Sequence, residues 1–98
     1  GYNVYPKEVE EAIDDLPGVL ESAVIGLPHG DLGEGVTAII VPRMGETVDP
    51  DGISAALADR LARYKQPKRV ILADELPRNV MGKVQKAELR KTYATLYT

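Results

Sequence analysis

Apolar positions recur along this chain with two different periods, and the switches between them mark six elements. Val9, Ala12, Ile13 and Leu16 stand at helical spacing, which predicts a first helix with one apolar face. Pro6 suits its first position, where a missing N–H costs nothing. Glu8, Glu10 and Glu11 occupy the early turns, which the helix dipole favours for negative charge. Pro17-Gly18 then stops it. Residues 19–28 (VLESAVIGLP) read as a strand rich in β-branched side chains and ended by proline. Residues 29–35 (HGDLGEG), with three glycines, read as a turn or loop. Residues 36–42 (VTAIIVP) are more continuously apolar, as a central strand with both faces covered should be.

A connecting loop over residues 43–48 leads to Asp49, a good N-cap followed by Pro50. The helix it opens presents Ile53, Ala56, Leu57, Leu61 and Tyr64 on one face and is expected to run until Pro67. A short strand over residues 69–73, an irregular loop over 74–82 and a closing helix over 86–97, on Leu89, Tyr93 and Leu96, complete the chain. The order α-β-β-α-β-α predicts an α+β fold, a small three-stranded sheet packed with about three helices that cover it. Tyr64 and Tyr93 fall on apolar stripes and are expected in the core. Tyr2 and Tyr5 flank the opening segment, where they either pack or line a ligand channel.

The 98 residues make one domain, residues 1–98, with a single modest core. No apolar run approaches the ~20 residues of a membrane span. There is no cysteine and one histidine, His29, which excludes disulfides and thiolate or histidine-cage metal sites, so no metal ligands are assigned. His29 is read as a turn residue. The chain opens on Gly1 inside what reads as an ordered segment, so a piece of a longer protein is expected. The net charge of -3 conceals a division. Residues 1–59 hold twelve acids against two bases, and residues 60–98 hold ten bases against three acids. A basic half suits an anionic partner, such as nucleotide phosphates, coenzyme A or nucleic acid, or simply gives two helices solvated faces.

Two short motifs fail on inspection. Gly82-Lys83 is not a P-loop, because Pro77 stands where that motif needs glycine and Val84 where it needs serine or threonine. Gly30-Asp31-Leu32-Gly33 has the bare spacing of a nucleic-acid-clamping Gly-x-x-Gly loop, but Asp31 and Glu34 would repel phosphate, which favours a plain turn. What remains is residues 76–86, LPRNVMGKVQK. They place Lys83 behind a glycine, in a loop read as mobile, just ahead of the last helix. A lysine there is a compact charge on a flexible stem, suited to an oxygen where negative charge gathers. Phosphoryl and adenylyl transfer use such a charge for positioning and electrostatic stabilisation.

GYNVYPKEVE at the start, YKQPKRV in the middle and LPRNVMGKVQKAELR near the end resemble the C-terminal lid domain of the adenylate-forming superfamily. That superfamily holds acyl-CoA synthetases, adenylation domains of peptide synthetases, and luciferases. The resemblance covers essentially the whole chain, three motifs in the family's order and spacing. It is strongest to acyl-CoA synthetases, and among those to malonyl-CoA synthetases. It implies an AMP-forming acid–CoA ligase in two steps. A carboxylate first attacks the α-phosphate of ATP with Mg2+, and the thiol of coenzyme A then displaces AMP. The N-terminal domain of the same chain would hold most of the nucleotide and the small carboxylic acid substrate. The lid would rotate between steps, and alone it is expected to be inactive.

On the same footing, Lys83, in a Pro77-x-x-x-x-Gly82-Lys83 pattern, matches the lysine of the first step. Gly1, Tyr2 and Asn3 match the loop that lines the pantetheine channel in the second, although relatives place a basic residue where Asn3 stands. Gly82 belongs to the cofactor-binding loop with them. The resemblance also implies regulation by a protein lysine acetyltransferase and deacetylase acting on Lys83, and a cytoplasmic location. The rival within the superfamily is a lid that loads a carrier-protein thiol. Outside it, the rivals are a nucleic-acid-binding module built on the basic half and a merely structural domain; neither nucleic acid nor membrane is expected as a partner.

Overall fold

The computed structural model describes residues 4–31 and 33–98. Helix α1 (Pro6–Asp14) leads into an antiparallel hairpin of β1 (Val19–His29) and β2 (Gly33–Pro42). Helix α2 (Pro50–Ala58) and a 3-10 turn (Arg63–Lys65) carry the chain across to β3 (Arg69–Leu72), and α3 (Lys86–Thr92) follows. The crossover through α2 lays β3 parallel to β2, with Thr37 beside Arg69 and Ile40 beside Leu72. The sheet order is β1-β2-β3, so β2 is central, as its continuous apolar run predicts.

Alternation along β2 divides the core in two. Ala38 and Ile40 join Val9 and Ile13 of α1 and Ile53 and Leu57 of α2 on one face. Ile39 and Val41 join Ala23, Ile25 and Leu27 of β1 with Leu76 and Leu89 on the other. The expected stripe of α1 is confirmed, since Val9, Ile13 and Leu16 are all buried. Asp49 caps α2 as expected, accepting the Asp51 amide at 3.2 Å. The free edge of β1 is covered by side chains: Glu10 accepts the Val24 amide at 2.8 Å and pairs with Lys86, also at 2.8 Å. An edge strand protected in this way is a poor template for another chain.

Four elements depart from the sequence reading. The expected 29–35 loop is mostly strand, because the hairpin closes at the His29–Gly33 pair. Two glycines of the hairpin serve packing: a Cβ on Gly26 would collide with the Glu34 side chain, and one on Gly35 would lie 2.8 Å from the Tyr97 ring. Helix α2 stops at Ala58, well short of Pro67. Gln66 folds back and its Nε2 donates to the Leu57 and Leu61 carbonyls at 2.7 and 2.9 Å, satisfying acceptors that a longer helix would have used. Tyr64 therefore leaves the apolar stripe and is 45% exposed, with the Lys65 ammonium 5.6 Å from its ring centre. Helix α3 likewise ends at Thr92 and gives way to turns. Those turns let Leu96 and Tyr97 pack with Tyr93 against the second cluster. The Tyr97 hydroxyl reaches the fully buried Thr37 hydroxyl at 2.7 Å. The fourth departure, over residues 74–82, concerns the site.

Lys65 also ties the 3-10 turn to α1, with its Nζ 2.7 and 2.6 Å from the two carboxylate oxygens of Glu8. That hydrogen bond raises the Lys65 ammonium above its ordinary value of 10.5. A raised pKa in the folded state means the stabilisation is complete below the ordinary value and is lost as pH climbs through the raised one. The difference in melting temperature between the parent domain and Lys65→Met should thus hold steady from neutral pH into the mildly alkaline range, then shrink above it. A difference that persists unchanged above the lysine range would assign the effect to packing of the aliphatic stem instead.

Candidate functional site

The segment that carries Lys83 is a hydrogen-bonded hairpin rather than the irregular loop its composition suggests. Arg78 and Val84 form an antiparallel bridge. The Gln85 amide donates to the Pro77 carbonyl at 2.8 Å, and the Asn79 amide to the Lys83 carbonyl at 3.0 Å. At the tip, the Asn79 side chain does what asparagine does best in turns, bonding the backbone just ahead of it. Its Oδ1 accepts both the Met81 and the Lys83 amides, each at 3.0 Å. Gly82 completes the reversal at φ 84°, a left-handed conformation that glycine adopts without a Cβ penalty. Nothing lies within 4 Å of where a Cβ would stand there, so Gly82 is present for its backbone angle and not for space.

Every peptide group of Lys83 is engaged. Its amide is held by Asn79, and its carbonyl accepts from the Asn79 amide and from Gln85 Nε2 at 2.9 Å. Its side chain is exposed. The hairpin is fastened to the sheet by Arg78, whose Nη1 donates to the Gly82 carbonyl at 2.8 Å while Nη2 pairs with Glu21 of β1. A bulge between Val19 and Glu21 breaks the register where this anchor stands. Beneath it, Leu76, Val84 and Leu89 join the second core cluster.

Of the three cations in this stretch, Arg78 is paired with Glu21 and Lys86 with Glu10. Lys83 makes no ion pair among the described residues. The arrangement thus presents one uncommitted ammonium on a preformed turn, suited to an anion brought to it from outside the domain. Sequence reasoning singled out Lys83, Gly82 and Pro77 but not the residues that hold this hairpin: Asn79, Arg78, Glu21 and Gln85. The asparagine two residues past Pro77 was a readable turn signal; the Glu21 contact, 57 positions away, was not.

Gly1, Tyr2 and Asn3 lie outside the described residues, as does Leu32 of the Gly-x-x-Gly match. Their neighbour Val4 packs on the first cluster, whereas Val84 beside Lys83 packs on the second. Val4 and the base of the lysine hairpin are therefore attached to opposite faces of the sheet. Tyr5, the N-cap of α1, is 64% exposed and packs into neither cluster.

Comparison with known proteins follows the same line. Residues 8–83 match the family described as AMP-binding enzyme C-terminal domain. The chain is 49% identical over 94 residues to a long-chain-fatty-acid–CoA ligase of Mycobacterium tuberculosis, covering 96% of this chain and 18% of that one. It is 43% identical over 94 residues to an indoleacetate–CoA ligase of Aromatoleum aromaticum, with the same coverage. The ATP-bound crystal structure of MatB from Rhodopseudomonas palustris superimposes on the whole chain with a TM-score of 0.97 at 56% identity. This chain covers 20% of that structure, so it spans about a fifth of the length of the relatives it matches.

Proposed function

This chain belongs to the family of AMP-binding enzyme C-terminal domains, and on that premise we propose that it is the lid of an AMP-forming acid–CoA ligase. Lys83 is its catalytic residue. The observation that carries this reading is the uncommitted Lys83 ammonium on a hairpin that hydrogen-bonds both the amide and the carbonyl of Lys83. In the first step that charge would lie between the incoming carboxylate and the phosphate oxygens of ATP, offsetting the repulsion of two anions and holding them in line. The residues here fit the nucleotide only through that single charge. Adenine, ribose, Mg2+ and most of coenzyme A would be held by the N-terminal domain of the same polypeptide.

In the second step the opening segment, Gly1 to Asn3, lines the pantetheine arm of coenzyme A. The attachment of Val4 and Val84 to opposite sheet faces supports two working faces, one for each half-reaction. For the acid we propose malonate, supported by 56% identity to MatB against 43–49% to ligases of aromatic and long-chain acids. A protein acetyltransferase and deacetylase acting on Lys83, and a cytoplasmic location, belong to the same reading. The test is to assay the full-length parent with ATP, Mg2+, coenzyme A and a panel of acids. AMP, pyrophosphate and malonyl-CoA should appear in equal amounts. AMP formation only with a carrier protein as thiol acceptor would favour the carrier-loading lid instead, and turnover of another acid would reassign the substrate.

A further inference from the structure

Helix α1 begins without a side-chain cap. Its N-cap is Tyr5, whose side chain makes no capping bond, whereas α2 opens on the capping carboxylate of Asp49. An uncapped first turn is easily displaced, because its amides have no partner inside the helix. A cation 57 positions away holds this one instead. Lys65 Nζ lies 2.7 and 2.6 Å from the two carboxylate oxygens of Glu8, in that first turn. No other ion pair reaches the turn among the described residues; Glu10–Lys86 and Asp15–Arg60 act further along the chain. Both partners are themselves fixed. The Glu8 amide donates to the Tyr5 carbonyl at 3.0 Å, which ties the carboxylate to the residue where the helix begins. The Lys65 amide donates to the Ala62 carbonyl at 2.9 Å, closing the 3-10 turn, and Gln66 straps that turn to the end of α2.

We propose that Glu8 and Lys65 are a positioning pair for the second half-reaction: their ion pair sets where Val4 and Tyr5 stand, and so the point from which the Gly1–Asn3 segment departs. This rests on the ligase reading and adds two residues to it, neither of which touches a reacting atom. Three observations favour that role over plain stabilisation. The pair is partly exposed, with 21% of the lysine and 42% of the glutamate side chain accessible. Such pairs return little stability for the two long side chains they hold still. The pair also acts on the first turn, not on the body of α1, which Val9 and Ile13 already anchor in the core. Finally, it joins α1 to the end of α2, the two helices of the first cluster, where Val4 also packs. The lysine hairpin stands on the second cluster, so a loosened first turn should be felt in one half-reaction only.

The test uses the full-length parent with Glu8→Gln, Lys65→Met and both together, alongside Lys65→Arg and Lys83→Ala. Thioester formation is measured from supplied acyl-adenylate with coenzyme A varied, and adenylate formation by ATP–pyrophosphate exchange. Each single variant should lose about ten-fold in kcat/KM for coenzyme A, a scale set by small misplacements made away from the chemistry. Adenylate formation should stay within about two-fold of the parent. The double variant should lose no more than either single one, because the first change already breaks the pair. Lys65→Arg, whose guanidinium can meet both carboxylate oxygens, should restore the second step to within about three-fold. Losses that fall equally on both steps would make the pair merely structural. An unchanged kcat/KM for coenzyme A in the single variants would remove the positioning role outright. A Lys83→Ala variant that keeps adenylate formation would instead count against the ligase reading, and the positioning role would fall with it.

Discussion

Replacing Lys83 by alanine in the full-length parent is expected to slow adenylate formation roughly 100- to 1000-fold, the scale on which one preorganised donor is felt when it is removed. Thioester formation from supplied acyl-adenylate should remain within about three-fold of the parent, since an interaction made in one transition state alone is lost in that step alone. The large effect follows from the hairpin. Asn79 holds the Lys83 amide, Gln85 holds its carbonyl, and Arg78 ties Gly82 to Glu21, so the backbone that carries the charge is already ordered. With that backbone held, only the flexible lysine stem has to be placed at the moment of reaction, so most of the charge's effect is kept. Alanine leaves all these backbone bonds in place, so the fold is kept and the charge alone is lost. Enzymatic acetylation of Lys83 neutralises the same ammonium and should reproduce the same split between steps. Equal, small effects on both steps would make Lys83 a surface residue, and acetylation confined to other lysines would remove the regulatory reading.

The contrast between what the residues announced and what they concealed has a physical basis. Periodicity located all three helices and all three strands and identified β2 as central, because burial on two faces leaves a continuous apolar run. It overran α2 and α3, where the deciding contacts are not periodic: one glutamine satisfying two carbonyls, and one tyrosine reaching a buried threonine 60 positions away. Tyr64 was misplaced by the same overrun. At the site, glycine and proline marked a turn, but the composition of a turn says nothing about its stiffness. The turn is held here by Asn79 and by an ion pair with β1, and only the folded chain brings Glu21 to Arg78.

Ile39→Ala should cost about 2–5 kcal/mol of unfolding free energy, read from a shift in the urea midpoint with an unchanged slope. Ile39 is fully buried at the middle of the central strand, between Ala23 of β1 and Ile71 of β3. It belongs to the cluster with Leu76 and Leu89, the base on which the lysine hairpin stands. Partial collapse around the cavity sets where in that range the cost falls, and Ile39→Leu, which conserves volume, should cost less than about 1.5 kcal/mol. Against a total stability of roughly 5–15 kcal/mol for a domain, the alanine variant is substantially weakened. None of the backbone bonds that shape the hairpin passes through Ile39, so in the full-length parent its loss should lower both half-reactions together, in proportion to the folded fraction. A core defect that instead suppressed adenylate formation alone would mean that the hairpin borrows its rigidity from the second cluster, and Asn79 and Arg78 would then be insufficient to hold Lys83 by themselves.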